Sequence, residues 1–372
     1  MMSFLSFSVT SCRGFQVLQR PSSISSSSFG RLYSSRQGDD NRNNNNSNNN
    51  NIITSSKSQT VKTIKALLTK RKKRNEFSQT VVEGPRMVFD LLENPKTRNL
   101  VRQVLVSAQN EHDFRDDYLS RLISSLDDNN ENQEKKKEVL VQLVHPDVFN
   151  KDCTDTISPQ GIVAIVDIPN NNDIDSNVGA TTNTIGGTPM YLVLDGVSDP
   201  GNLGTLLRTS LACNVAGVVL LPDCCDVWNP KAVRSSMGAS FQIPIIESPS
   251  WNDALSMLKS KGVQTVYAAT MIENDDNDDD APNSSVSYYD VNWTDGPSAL
   301  VIGSEGNGLS TTVREDLTRK KKKTATEGIV IGATHIPMGA GIESLNAAVC
   351  GSVILFEYSR QCVKQQSPLP LV

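Results

Sequence analysis

Three short segments carry side chains from which chemistry can be built. The first is Asp199-Pro200-Gly201-Asn202-Leu203-Gly204, which follows an apolar strand at Met190–Leu194. It leads into a helix predicted over Thr205–Asn214, with Arg208 in its second turn. A helix start offers free N–H groups and the positive end of the dipole, so it favours an anion. A guanidinium fork nearby matches two phosphate oxygens. The second is Gly303-Ser304-Glu305-Gly306-Asn307-Gly308, directly after the apolar strand Ser298–Ile302. Its glycines permit close ligand approach. No Gly-Lys-Ser/Thr follows, and Glu305 in mid-turn would repel a pyrophosphate, so neither a nucleotide-phosphate loop nor a dinucleotide fingerprint is present. Glu305 instead suits a cationic ligand or hydroxyl and amide donors. The third runs from Ile336-Pro337-Met338 through Gly339-Ala340-Gly341 to Ser344-Leu345-Asn346, ahead of a helix reaching about Tyr358, with Ser344 as the expected N-cap.

Other chemistries are poorly supplied. The chain has three histidines and seven cysteines without CxxC spacing, so a His-built metal site or a Ser-His-Asp triad is not expected, and no metal is. Cys224 and Cys225 are adjacent, too close for an ordinary bridge. The cysteines read as small apolar filler in a reducing compartment.

The elements that must hold these segments follow from patterning. In a chain of 372 residues, 37% hydrophobic and 21% charged, two domains fit. Thirty-six basic against 41 acidic residues give a net charge of −5, which excludes a polycationic tail protein but not a local basic patch. No apolar window is long enough for a membrane span. Strands at 190–194, 217–221, 241–246, 263–269, 298–302 and 328–336 alternate with helices at 228–237 and 253–259, which points to a mostly parallel sheet covered on both faces. Before it lies a smaller α/β block with strands at 79–82, 101–107, 139–144 and 161–166 and helices at 85–92 and 114–126. A helix over Val61–Arg74 presents Lys62, Lys65, Lys70, Arg71, Lys72, Lys73 and Arg74, read as a phosphate-contacting face, with Arg319–Lys323 as a second basic run.

Residues 1–38 contain arginines and many serines but no Asp or Glu, the composition of a transit peptide; mitochondrion is the expected address and plastid the alternative. Residues 39–56 read as a disordered Asn-rich linker, 57–170 as a binding domain, 171–186 as a linker, 187–363 as the chemical domain and 364–372 as a tail.

Taken in order, the three segments resemble the motifs of one family: Asp199–Thr209 the first, Ile302–Gly308 the second, and Ile336-Pro337-Met338 with Ser344-Leu345-Asn346 the third. The family is the SpoU (TrmH-like) class of SPOUT RNA 2′-O-ribose methyltransferases. Trp228–Ala239 is similar to it as well, and Glu83-Gly84-Pro85 and Ser158-Pro159-Gln160-Gly161-Ile162 resemble its N-terminal substrate-binding domain. Within the family, the organellar large-subunit rRNA methyltransferases are most similar.

The resemblance implies a parallel α/β sheet with its C-terminal segment tucked into a trefoil knot, plus a smaller N-terminal α/β domain resembling a small ribosomal protein. It implies S-adenosylmethionine lined by Gly303, Ile336, Met338 and Leu345, and a catalytic and ribose-positioning set of Arg208, Asn202, Glu305, Ser344 and Asn346. It also implies a homodimer with RNA as partner, a guanosine or uridine of organellar rRNA being the expected target. A tRNA 2′-O-methyltransferase, an enzyme acting on a base nitrogen, or a non-catalytic ribosome-assembly factor with the same fold are the alternatives.

Overall fold

The computed structural model describes residues 52–108, 139–170, 188–271, 285–318, 328–342 and 344–366. The transit-peptide reading, the expected helix at 114–126 and the basic run at 319–323 lie outside them.

Two sheets are formed. The first comprises β1 (Gln79–Glu83), β2 (Val101–Ser107), β3 (Leu140–Val144) and β4 (Ile162–Asp167), in the order β1-β4-β2-β3. β4 runs antiparallel to β1 and β2, and β2 pairs parallel with β3. The helices around it are α1 (Gln59–Thr69), α2 (Arg71–Phe77), α3 (Pro85–Glu93) and α4 (Pro146–Asp152). Val61, Ile64 and Leu67 of α1 and Phe149 of α4 bury their side chains on Val81, Leu105, Val163 and Ile165.

One expected helix is two. The chain turns extended at Lys70 (φ −126°, ψ 110°), so 61–74 is not continuous. Four of the seven basic groups expected on the phosphate-contacting face are paired within the protein. Lys65 pairs with Asp152, Arg71 with Glu247 and Lys73 with Glu76, while Arg74 is buried on Asp226.

The second sheet contains β5 (Met190–Asp195), β6 (Gly217–Leu220), β7 (Ile245–Glu247), β8 (Thr265–Ala269), β9 (Val286–Ser287), β10 (Ser298–Gly303) and β11 (Val330–His335). Their order is β7-β6-β5-β10-β8-β11-β9, and every pairing is parallel. Between them lie α5 (Pro200–Ala212), α6 (Pro230–Ser236), α7 (Trp251–Ser260), α8 (Thr311–Thr318) and α9 (Ala347–Gln366). The period-2 alternation of β5 sorts the two faces. Met190, Leu192 and Leu194 pack with Leu203 and Leu206 of α5 and Ile354 and Leu355 of α9. Tyr191 and Val193 face Leu255 and Leu258 of α7 and Val313 and Leu317 of α8. The expected parallel sheet with helices on both faces is therefore present.

Three local readings need correction. α5 begins at Pro200, not Thr205: Pro fixes φ at the first helical position, and Asp199 caps the helix by accepting the Asn202 N–H at 2.9 Å. The expected strand at 241–246 divides into a 3₁₀ turn at Ala239–Phe241 and the short β7. Ser344 does not cap α9. Asn346 does, its Oδ1 accepting N–H groups from Ala348 (3.0 Å) and Val349 (3.1 Å).

Side chains tie the first sheet to the second. Arg74 donates through Nε (2.9 Å) and Nη2 (2.6 Å) to Asp226 Oδ2 and through Nη1 (2.6 Å) to the Leu67 carbonyl. Thr80 donates to the Trp228 carbonyl at 2.8 Å, and Asn94 donates to Gln242 at 3.1 Å.

Candidate functional site

The strands of the second sheet end together, and the three chemistry-bearing segments leave from those ends. β5 and β10 are register neighbours, with Asp195 opposite Gly303. The first segment turns at Gly196 (φ +69°) and enters α5. The second folds back on itself at once: Ser304 and Gly308 exchange backbone hydrogen bonds at 2.9 Å in both directions, and Ser304 Oγ accepts the Asn307 N–H at 3.1 Å. This tightness explains Gly303. A Cβ there would lie 2.5 Å from the Gly308 carbonyl carbon and 2.7 Å from the Leu309 nitrogen.

Two residues that sequence reasoning left out hold that turn. Asp195 is buried and accepts the Ser310 N–H at 2.6 Å. Arg314 of α8 donates to the Asn307 carbonyl. An acid at the last position of a buried strand was the available signal for Asp195; Arg314 gave none.

The turn presents Glu305, and three of the five expected catalytic residues meet there. Asn202 Nδ2 donates to Glu305 Oε1 at 2.5 Å, Asn346 Nδ2 donates to the same oxygen, and Asn346 Nδ2 also reaches Asn202 Oδ1 at 3.1 Å. One carboxylate thus joins the starts of α5 and α9. Because Asn346 Oδ1 is spent on capping α9, its amide is fixed, and Glu305 is aimed by two oriented donors.

The other two are not in that cluster. Arg208 lies in the third turn of α5, exposed, with no hydrogen-bond or ion-pair partner among the described residues. Six residues of helix put it about 120° around the axis from Asn202. Ser344 is exposed and likewise bonds to nothing among the described residues. Of the expected cofactor-lining residues, Ile336 is half-buried against the core beside α5 and α9, and Met338 and Leu345 are half-buried. Gly339, next to Met338, is exposed, and an added Cβ there would meet nothing within 4 Å.

The expected anion at the start of α5 is supplied internally. The Asn202 N–H holds the Asp199 carboxyl below the usual carboxylate range, and Lys231, 3.5 Å away, adds to this. Burial pushes the Cys224 thiol up to about 11 and Cys225 to about 12, away from the reactive thiolate form. Among the described residues, no group of His, Cys, Asp or Glu is placed to hold a metal ion, and no helix is long and apolar enough to cross a membrane.

Comparison with known proteins agrees with this geometry. Residues 189–356 match the model of the SpoU rRNA Methylase family, which covers all three segments. The mouse mitochondrial rRNA methyltransferase 3 is 30% identical over 260 residues, 61% of this chain and 59% of that protein. The chain therefore matches less than two thirds of that relative's length. The Bacillus subtilis 23S rRNA (guanosine(2553)-2'-O)-methyltransferase RlmP is 29% identical over 303 residues, 81% of this chain and 96% of the relative. The AdoMet-bound rRNA methyltransferase of Sinorhizobium meliloti superimposes with a TM-score of 0.58 at 25% identity, over 83% of this chain and 97% of that one. The SpoU family match, the parallel sheet and the three motifs at its strand ends thus fall on the same residues, 189–356.

Proposed function

We propose that this chain is an S-adenosylmethionine-dependent RNA methyltransferase that modifies a ribose 2′-OH of mitochondrial large-subunit rRNA. The observation that carries the reading is the Glu305 carboxylate held between Asn202 and Asn346, which gathers the three motif segments into one site. The relatives' names support the substrate class, and the mouse relative's name together with the acid-free leader supports the mitochondrion. Residues 57–170 serve as the RNA-binding domain and 187–363 as the catalytic domain.

The residues present suit the cofactor. Ile336, Met338 and Leu345 offer half-buried apolar surface, backbone groups of Gly303, Ile336 and Leu345 are available for hydrogen bonds, and Glu305 offers negative charge near a cation. When bound, the cofactor supplies an electrophilic methyl group on a sulfonium.

The chain's own residues then have separate tasks. Asn202 and Asn346 aim Glu305, leaving its second oxygen to accept from a ribose hydroxyl. Ser344, exposed next to them, donates to the sugar. Arg208 stays protonated (a guanidinium titrates above about 12), so it acts as a cation and not a base. It grips the target phosphate and stabilises the alkoxide that forms as the 2′-OH loses its proton to a phosphate oxygen or water.

The working form is a homodimer. Val349, Phe356 and Val363 recur every seven residues along α9 and are 47–56% exposed, an apolar stripe that a second copy would cover. Thr209 and Ser352, bonded at 3.0 Å, join α9 to α5, so that stripe belongs to the same layer as the unpartnered Arg208.

The test is to disrupt the gene and map ribose methylation by resistance to alkaline hydrolysis across mitochondrial and cytosolic RNA. Loss of one 2′-O-methyl in large-subunit rRNA is expected, restored by the wild-type chain. An unchanged map, or loss of a base methyl instead, would overturn the proposal.

A further inference from the structure

Two sequence stretches singled out above have no task in the chemistry just described: Glu83-Gly84-Pro85 and Ser158-Pro159-Gln160-Gly161. In the structure they build a single object. Glu83, at the end of β1, is 5% exposed at its side chain. Its Oε1 accepts hydroxyl hydrogen bonds from Thr154 (2.5 Å) and from Thr156. Thr154 Oγ1 in turn accepts the Thr156 N–H at 3.2 Å. The Gly84 N–H donates to the Ile162 carbonyl at 3.0 Å, and a Cβ on Gly84 would stand 2.8 Å from Gln160 Oε1. The buried Glu83 carboxylate thus holds the start of the loop 154–161, and the Gly84 backbone holds its end.

What that loop presents is unusual for so constrained a segment. Ile157 at its tip is fully exposed (103%). Arg86 follows Pro85 at the start of α3, two residues after Gly84, whose added Cβ would touch Gln160 of the loop, and it is 77% exposed at its side chain. Its only ion pair among the described residues is with Asp90, at 4.0 Å on the same helix, a contact of little strength in water. The loop is also tied to the catalytic side. Arg234 of α6 donates to both carboxylate oxygens of Asp155 and lies 3.8 Å from Glu83. One turn earlier on α6, Lys231 pairs with Asp199, the cap of α5 and neighbour of Asn202. Asp155, two residues before Ile157, is thereby linked through α6 to the start of α5.

We infer that the loop 154–160 and Arg86 form an RNA-contacting prong, in which Ile157 packs against an unstacked base flanking the target nucleotide and Arg86 holds an adjacent phosphate. The inference rests on the RNA reading of the site. Sequence-specific contacts to RNA fall on loops and bulges whose bases are splayed out, and an unstacked base leaves a face for a protein side chain to cover. An apolar side chain on a rigid loop loses little entropy in doing so, and a guanidinium supplies the backbone contact.

The test uses the full chain with total RNA from cells lacking the gene as substrate. Wild type is compared with Ile157→Ser, Arg86→Gln and a control, Val330→Ser, which alters an apolar side chain 68% exposed at the opposite end of its strand. For Ile157→Ser the expected result is a KM for RNA raised about tenfold, with unchanged cofactor affinity and melting temperature. For Arg86→Gln, binding weakens and the slope of log K against log salt falls by about one. The control should match wild type. Wild-type kinetics for both prong variants, with methylation intact, would overturn the prong alone. Absence of methylation by the wild-type chain would overturn the RNA reading and the prong with it.

Discussion

Asn202 and Asn346 stand 144 residues apart in the chain, and Asn346 Nδ2 donates to Asn202 Oδ1 at 3.1 Å. Each also donates to Glu305, so the two amides fix where that carboxylate points. Asn202→Ala removes one donor while leaving the Asp199 cap, which uses the Asn202 backbone N–H. Turnover should fall about a hundredfold, the scale of a misplacement near 1 Å at a reacting group. Stability should change by less than about 1 kcal/mol, because the side chain is exposed. Steady-state methyl transfer read beside a melting curve checks both.

Gly303→Ala acts on the same site through the backbone. The added methyl would meet the Gly308 carbonyl at 2.5–2.6 Å, where neither neighbour is a flexible side chain. The turn must open, at about 1–3 kcal/mol. Because the turn carries Glu305, cofactor affinity should drop along with the melting temperature. Calorimetric titration of S-adenosylmethionine into the variant would show wild-type affinity if the turn were not part of the site.

Arg74 and Asp226 are buried partners, at 4% and 8% side-chain exposure, joining α2 to the loop ahead of α6. Arg74→Met strands the carboxylate and should destabilise by about 3–5 kcal/mol. Arg74→Met with Asp226→Leu should recover a good part of this, since neither charge is then left alone. Denaturant unfolding of the single and double variants decides it; additive losses would mean the pair is not coupled.

The buried thiols set a pH dependence. Cys224 and Cys350 are pushed up to about 11 and Cys225 to about 12, from an ordinary value near 9, by burial. A raised thiol pKa stabilises the fold fully below pH 9, and that contribution is lost as pH climbs through the folded values. At pH 8 these cysteines should alkylate at least about a hundredfold more slowly in the native protein than in urea, tenfold for each pKa step. Peptide mapping after iodoacetamide treatment measures this. Equal rates would mean that the segment opens freely.

Much of the fold was legible because its signals are local. The run Val101–Ser107 is β2 residue for residue, and the Pro-led helices at 85 and 230 start where Pro permits. The break at Lys70 had no Gly or Pro to announce it. It follows from Arg74 turning inward to an acid 152 residues away, while Lys65 and Arg71 reach two other distant acids, Asp152 and Glu247. α5 was begun five residues late because Pro200-Gly201 reads as a loop until Asp199 is seen to cap it. For α9, Ser344 and Asn346 are both good caps, and only the helix start discriminates. The site was legible as three motifs in order, but not as a carboxylate between two amides, because no spacing in the chain encodes that meeting.

The central claim is that one guanidinium acts on the RNA and not on the cofactor. Arg208→Lys keeps the charge and loses the fork. S-adenosylmethionine affinity and methyl transfer should be measured on the same preparation of this variant. We expect unchanged affinity with turnover reduced at least about a hundredfold. Undiminished turnover, or loss of cofactor binding in step with activity, would contradict the assignment.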